Sequence, residues 1–427
     1  MSKTTIINAR LIDPETGRDE LGSLQIEDGK ISALGKGVKS AGEVIDAAGL
    51  ILSPGLIDMR VTTGEPGREG IETLASAGRA AASGGVTSIV VMPHTKPVID
   101  DTALLDYVAR RSEQSADVNV YIAGALTQNL GGENMTEIGL MAEAGAIMFS
   151  NGNVPIADTQ LMRRLLSYGS NFGVLISNRA MDASLADGTC AHESAVSTRL
   201  GLVGSPSAAE RIMVERDVAL AELTGGRLFI DMISSRDAVE VVRRAKMKST
   251  DIYCSVSINH LCLNEIDIGD YRTFAKLDPP LREEADRQTL LEAIGTGDID
   301  VIVSDHYPRP AGQKRLPYSE AYPGAVGLEL LLGAGLTQVN DKALGLIDFL
   351  KAVTINPAKI LGLPSGRLAK NAPADLTLID PDLPWVCHSE TLLSKSKNTP
   401  FDGRRLTGRA VKTWVGGHVV FDRDVPA

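Results

Sequence analysis

Residues 50–95 read LILSPGLIDMRVTTGEPGREGIETLASAGRAAASGGVTSIVVMPHT. An apolar run from Ile51 to Val61 passes through Pro54-Gly55 and empties into a polar loop. An Ala-rich helical pattern follows, Gly84-Gly85 closes it, and Val86 to Met92 forms a second apolar run. Two buried-strand patterns separated by one helix predict a parallel β-α-β unit. In parallel α/β architectures ligands collect beyond the carboxyl ends of the strands, so Arg60-Val61-Thr62 is the first place to look for chemistry. It holds neither a metal ligand nor a base.

The remainder of the chain extends the same pattern. Seven further apolar runs suit buried parallel strands: the Val86 run, then Val118–Leu126, Ala146–Ser150, Phe172–Ser177, Arg227–Ser234, Asp251–Ser257 and Ile299–His306. Helical patterns such as Ala208–Leu223, Ser235–Met247 and Glu284–Ile294 lie between them, and Ala343–Leu361 is helical beyond the last. Eight strand-helix repeats predict an α/β fold, a closed (β/α)8 TIM barrel over residues 54–363. Both ends instead show short β patterns. Thr4–Leu11, Ser23–Glu27, Lys30–Leu34 and Glu43–Asp46 stand at one end, with Asp28-Gly29 as a hairpin signal. Asp375–Ile379 and Ala410–Asp422 stand at the other, with Gly416-Gly417 at a turn. A small β-sandwich domain built from residues 1–53 and 364–427 is expected. The segment Arg309–Tyr322, rich in polar residues and punctuated by Pro and Gly, is expected to be a mobile loop.

Composition narrows the function classes. The 427 residues are 43% hydrophobic and 23% charged, with a net charge of −11 and only 4% aromatic residues. A soluble globular protein follows, with no cationic face for nucleic acid or an anionic membrane and few aromatics for base stacking. Four cysteines without CxxC spacing and an N-terminus without an apolar signal core predict a reducing cytoplasm. The apolar runs are too short or too interrupted by Gly to span a bilayer.

The opening stretch resembles the dihydroorotases, enzymes of pyrimidine biosynthesis in the amidohydrolase superfamily. Pro54 to Asp58, Glu65-Pro66-Gly67, Met92-Pro93 and Thr95 keep that family's pattern, as do Asn356 to Gly362, Gly366 and Ala374 to Thr377 further on. The resemblance covers Ser53 to about Gly417. It implies a metal site of two histidines after the first strand, an Asp or carboxylated Lys after the fourth, one histidine after each of the fifth and sixth, and an Asp after the eighth. At those places the chain has Arg60, Thr62, Asn151, Arg179, Met232 and Asp305. Only Asp305 is a ligand of the implied kind.

The substrate-gripping positions are altered too. Gly64 stands for the family's arginine, His94 for one asparagine, Asp278 for another, and Arg309 for the last histidine of Asp-His-Ala-Pro-His, while His260 and His306 persist. A dication removed from a ring of acceptors leaves negative charge that a guanidinium can neutralise. Arg60 or Arg179 is therefore expected to pair with Asp305 in a closed, metal-free mouth. His260 is expected to be a packed remnant, and Cys190, His192 and Asp182 are too sparse to define a replacement metal site.

These readings imply a dihydroorotase-like pseudoenzyme with no catalytic residue beyond the remnant Asp305, no cofactor and no metal. Resemblance further implies a structural subunit, itself homo-oligomeric, that assembles with aspartate carbamoyltransferase. The alternative is an active cyclic amidohydrolase with a divergent or metal-free site, drawing on Asp305, His306, His260 or His94; zinc belongs only to that alternative.

Overall fold

A computed structural model describes residues 3–248 and 251–424. Its centre is a ring of eight strands: β1 (Leu56–Val61), β2 (Val86–Val91), β3 (Asn119–Ala125), β4 (Met148–Ser150), β5 (Leu175–Arg179), β6 (Arg227–Asp231), β7 (Ile252–Ser257) and β8 (Val301–Val303). Neighbours in space are neighbours in sequence, and all pair in parallel. A bridge between Val61 and His306 joins the last strand back to the first. Both faces of the strands are covered, which is why they read as unbroken apolar runs. Met59, Val90, Ala123, Met148, Leu175, Phe229, Val301 and Val303 form one buried cluster, as expected of a barrel filled by side chains. Among the described residues no helix is long and apolar enough to cross a membrane.

The two termini form a second eight-stranded sheet. Lys3–Asp13 lies at its middle, paired antiparallel with Arg18–Glu27 and parallel with Glu43–Asp46 and Ile51–Pro54. The last of these pairs with Leu376–Val386, which carries the hairpin Arg405–Val415 and His418–Asp422. The turns at Gly29 and Gly416 touch, a Cβ on Gly29 falling 2.9 Å from the Gly416 carbonyl oxygen. The sheet has a core of its own, made of Ile6, Leu11, Leu24, Ile31, Leu376 and Trp414.

Four expectations change. The Ile51–Val61 run is two strands in two sheets, divided at Gly55. The Gly55 amide donates to the Asp375 carbonyl at 2.9 Å and the Leu56 amide to the Gly85 carbonyl at 3.0 Å, and any Cβ on Gly55 would collide with the Thr87 side chain. The fifth strand begins at Leu175, after a left-handed Gly173, and reaches Arg179. The Ala343–Leu361 pattern breaks at Thr354 into helices Leu346–Val353 and Ile355–Leu361, because Pro357 is tolerated only in a first helical turn. The Arg309–Tyr322 loop is also anchored: buried Lys314 donates from Nζ to the carbonyls of Thr273 (3.0 Å) and Lys276 (3.1 Å), and Lys276 Nζ donates to Ser319 O at 2.9 Å.

Candidate functional site

Arg60 ends β1 with its guanidinium inside the barrel mouth, 3% exposed. Its Nε donates to Asp305 Oδ1 at 3.1 Å, its Nη1 to Asp231 Oδ2 and its Nη2 to Asn153 Oδ1. One side chain thus ties the ends of the first, fourth, sixth and eighth strands. Burial pushes the Asp305 carboxyl up from its ordinary value, opposed by the charges of Arg60 and Arg179. Asp305 itself sits at a positive φ of 50°, as does Met232 at 57°, a conformation that costs a non-glycine residue free energy and persists only where surrounding contacts impose it.

Arg179, at the end of β5, makes a different pair. Its Nη2 donates to Asp278 Oδ1 at 2.7 Å and its Nη1 to the Met232 carbonyl at 3.3 Å. The expected arginine contact with Asp305 is therefore made by Arg60 and not by Arg179. Arg309 joins neither group: it stacks on Tyr307 with its guanidinium carbon 3.9 Å from the ring centre and donates from Nε to Pro323 O at 2.8 Å. Asn151 accepts from the amides of Leu126 and Thr127 on Oδ1 and donates to Thr127 Oγ1 at 2.7 Å.

Two histidines at the mouth, His94 and His260, are held without charge near neutral pH. His94 Nε2 meets Thr62 Oγ1 at 2.9 Å, and burial, then the charges of Arg60, Arg309 and Arg68, pull its pKa down to about 3. His260 lies 3.1 Å from Pro279 O with its pKa lowered by burial to about 4. His306 accepts the Gly327 amide on Nδ1 and faces the wholly buried Glu72 across 3.5 Å. Gly64 is packed against the carbonyl oxygens of Arg68 and Glu72 and has no room for a side chain.

A divalent cation does not fit this donor set. Its two nearby carboxylates, Asp305 and Asp231, are already bonded to Arg60, and the second guanidinium of Arg179 raises the positive potential further. Thr62, Asn151 and Met232 offer only neutral atoms, and a thioether is a poor ligand for a hard or borderline dication. Among the described residues, one group of three ligand-type side chains converges: His192, Glu283 and Asp286. Cys190 and Asp182 take no part, since Asp182 caps the short helix Ala183–Ala186. Arg282 Nη1 donates to His192 Nδ1 at 3.0 Å, and in the neutral ring that puts the proton on Nε2. The imidazole is then a hydrogen-bond donor there and not a ligand.

Four contributors escaped the sequence reading. Asp231 was visible one residue before Met232 but gave no sign of an arginine partner; Asn153, Glu72 and Glu210 gave none at all. Glu210, buried in helix Ser207–Thr224, accepts from Ser234 and Ser235 and lies 3.4 Å from Arg282, whose charge helps hold its carboxyl below the usual range against the opposing effect of burial.

Comparison with known proteins agrees with the barrel fold and gives the family. Residues 49–238 match the family model described as dihydro-orotase-like. A protein named dihydroorotase from Geotalea daltonii is 41% identical over 421 residues, covering 98% of this chain and 99% of its own. Another of that name from Pelotomaculum thermopropionicum is 42% identical over 422 residues, with 98% of each covered. Among solved structures, an L-hydantoinase (dihydropyrimidinase) from Arthrobacter aurescens superposes with a TM-score of 0.90 at 25% identity, covering 99% of this chain and 97% of its own.

Proposed function

The chain belongs to the dihydroorotase-like family of the amidohydrolase superfamily, and within it we propose a non-hydrolytic member, a structural subunit for aspartate carbamoyltransferase. The observation that carries the loss of hydrolysis is the Arg60 bridge to Asp305 and Asp231. Hydrolysis of a cyclic amide in this superfamily requires converging ligands around a cation and an open position for water. In this chain a guanidinium fills that centre and consumes its two carboxylates. The carbamoyltransferase partner rests on the resemblance alone.

The test is dihydroorotate turnover by the purified protein with zinc supplied and bound metal quantified in the same sample, followed by co-expression with the carbamoyltransferase from the same source. No turnover, no stoichiometric zinc and co-elution of the two chains are expected. Turnover with one or more zinc ions per chain would reverse the reading.

The second reading, a cyclic amidohydrolase with an altered site, is favoured by identity of about 40% to proteins named dihydroorotase over nearly the whole chain. Asp305, His306, His260 and His94 are the groups it would draw on, His94 and His260 being held neutral near pH 7. Turnover that survives chelation would support it.

A further inference from the structure

A cavity of about 200 Å³ lies in the seam between the barrel and the terminal sheet. It is bounded by the end of helix Leu74–Ser83, by helix Leu331–Asn340 and by the strands Leu376–Val386, Arg405–Val415 and His418–Asp422. None of the residues at the barrel mouth lines it. Ser83 and Gly84, which do, stand just before β2 begins, at the opposite end of the strands from Arg60. Its volume is below the roughly 300–1,000 Å³ usual for organic ligands, so an occupant must be small.

Two half-buried arginines face this space without a counter-ion. Arg409 stacks on Trp385 with its guanidinium carbon 4.2 Å from the ring centre, and among the described residues its side chain makes neither a hydrogen bond nor an ion pair. Arg423 lies 4.9 Å from the Phe421 ring centre and donates from Nε to Ala410 O at 2.8 Å and from Nη2 to Ser83 O at 3.2 Å, which leaves its Nη1 free. Burial, then the neighbouring Arg409 charge, pull the Arg423 pKa down to about 10. The acids on the wall are engaged elsewhere. Asp422 pairs with Lys412 at 2.7 Å. Glu329 accepts the Leu393 and Ser394 amides on Oε2 and the Ser83 hydroxyl on Oε1. Two guanidiniums against the one carboxylate of Glu329 leave the wall with an excess positive charge.

We propose that this seam cavity binds a phosphate-type oxyanion, held between the Arg409 guanidinium and Nη1 of Arg423. A guanidinium fork matches a pair of phosphate oxygens, and stacking on an aromatic face leaves its N–H edge free to make that contact. A phosphoryl group has three acceptor oxygens and can serve two guanidiniums at once, whereas the two oxygens of a carboxylate are used up by one fork. Arg409 belongs to the terminal sheet and Arg423 reaches Ser83 of the barrel, so the bound ion would tie the two sheets together. The assignment concerns binding and stands whether or not the chain hydrolyses anything.

Inorganic phosphate is the probe and acetate its control, titrated calorimetrically into the intact protein at low ionic strength and neutral pH. Saturable phosphate binding is expected, with acetate at least about tenfold weaker. Arg409→Gln removes a side chain that bonds nothing, and is expected to weaken phosphate at least about tenfold while leaving the melting temperature in phosphate-free buffer unchanged. Arg405→Gln removes the same charge from an exposed position on the same strand and is expected to leave phosphate affinity within about twofold. Should Arg409→Gln fail to fold, Arg409→Lys decides, since it keeps the charge and loses the fork; several-fold weakening is expected. Glycerol 2-phosphate separates the sources of the ion: tighter binding than inorganic phosphate assigns the cavity to a small phosphomonoester, weaker binding to the free ion. No saturable binding, equal binding of acetate, or a folded Arg409 variant that binds phosphate as well as Arg405→Gln does would overturn the proposal.

Discussion

At the residue scale, the barrel mouth is governed by charges that cannot leave water alone. Arg60 is 3% exposed with Asp305 and Asp231 at its nitrogens. Replacing it with methionine keeps the bulk but strands two buried carboxylates, and removing one partner of such a pair costs about 3–5 kcal/mol. Urea denaturation of Arg60→Met is expected to show that loss. Asp58 supplies a second case. It is wholly buried in β1, one oxygen accepting the Arg60 and Ser304 amides and the other unpartnered, and burial lifts its pKa to about 6. A carboxyl whose folded pKa is raised favours folding below its unfolded value, and the advantage is lost as pH rises through the folded value. Wild-type stability relative to Asp58→Asn is therefore expected to fall between about pH 4 and pH 6, measured by urea midpoints across that range. The absence of ligand side chains at Thr62, Asn151 and Met232 was legible in the sequence, since the chemistry of a side chain is a local property. The carboxylate that each arginine meets was not, because the partners lie 171, 245 and 99 residues apart.

At the element scale, strand and helix identities followed from pattern while their ends followed from contacts. Helices Ser207–Thr224, Arg236–Lys246 and Glu284–Thr296 sit where their periodicity places them. Gly55 shows what periodicity misses: an unbroken apolar run can serve two sheets when one residue lacks a Cβ. Gly55→Ala would drive its methyl into Thr87, and overpacking of this kind costs typically about 1–3 kcal/mol. A corresponding drop in thermal stability is expected, read by circular dichroism. The segment 309–322 is a parallel case. Its composition predicts a mobile loop, yet a buried lysine bonded to two carbonyls fastens it.

At the scale of the whole molecule, the terminal sheet and the barrel share a boundary. Thr377 Oγ1 donates to Gly85 O at 2.7 Å, Thr413 Oγ1 to Ala82 O at 2.8 Å, and Glu329 in the barrel accepts the Leu393 and Ser394 amides. Deleting residues 366–427 would expose the apolar strand edge at Ile51–Pro54 and the Ala-rich helix behind it. Loss of soluble protein is expected, measured as the soluble fraction on expression at matched levels. The order of eight buried strands and the β character of both ends could be read along the chain, because hydrophobic periodicity is carried by neighbouring residues. The division at Gly55, the pairing of Arg60 with two acids from distant strands, and the pairing of Arg179 with Asp278 arise only when folding brings remote segments within a few ångströms.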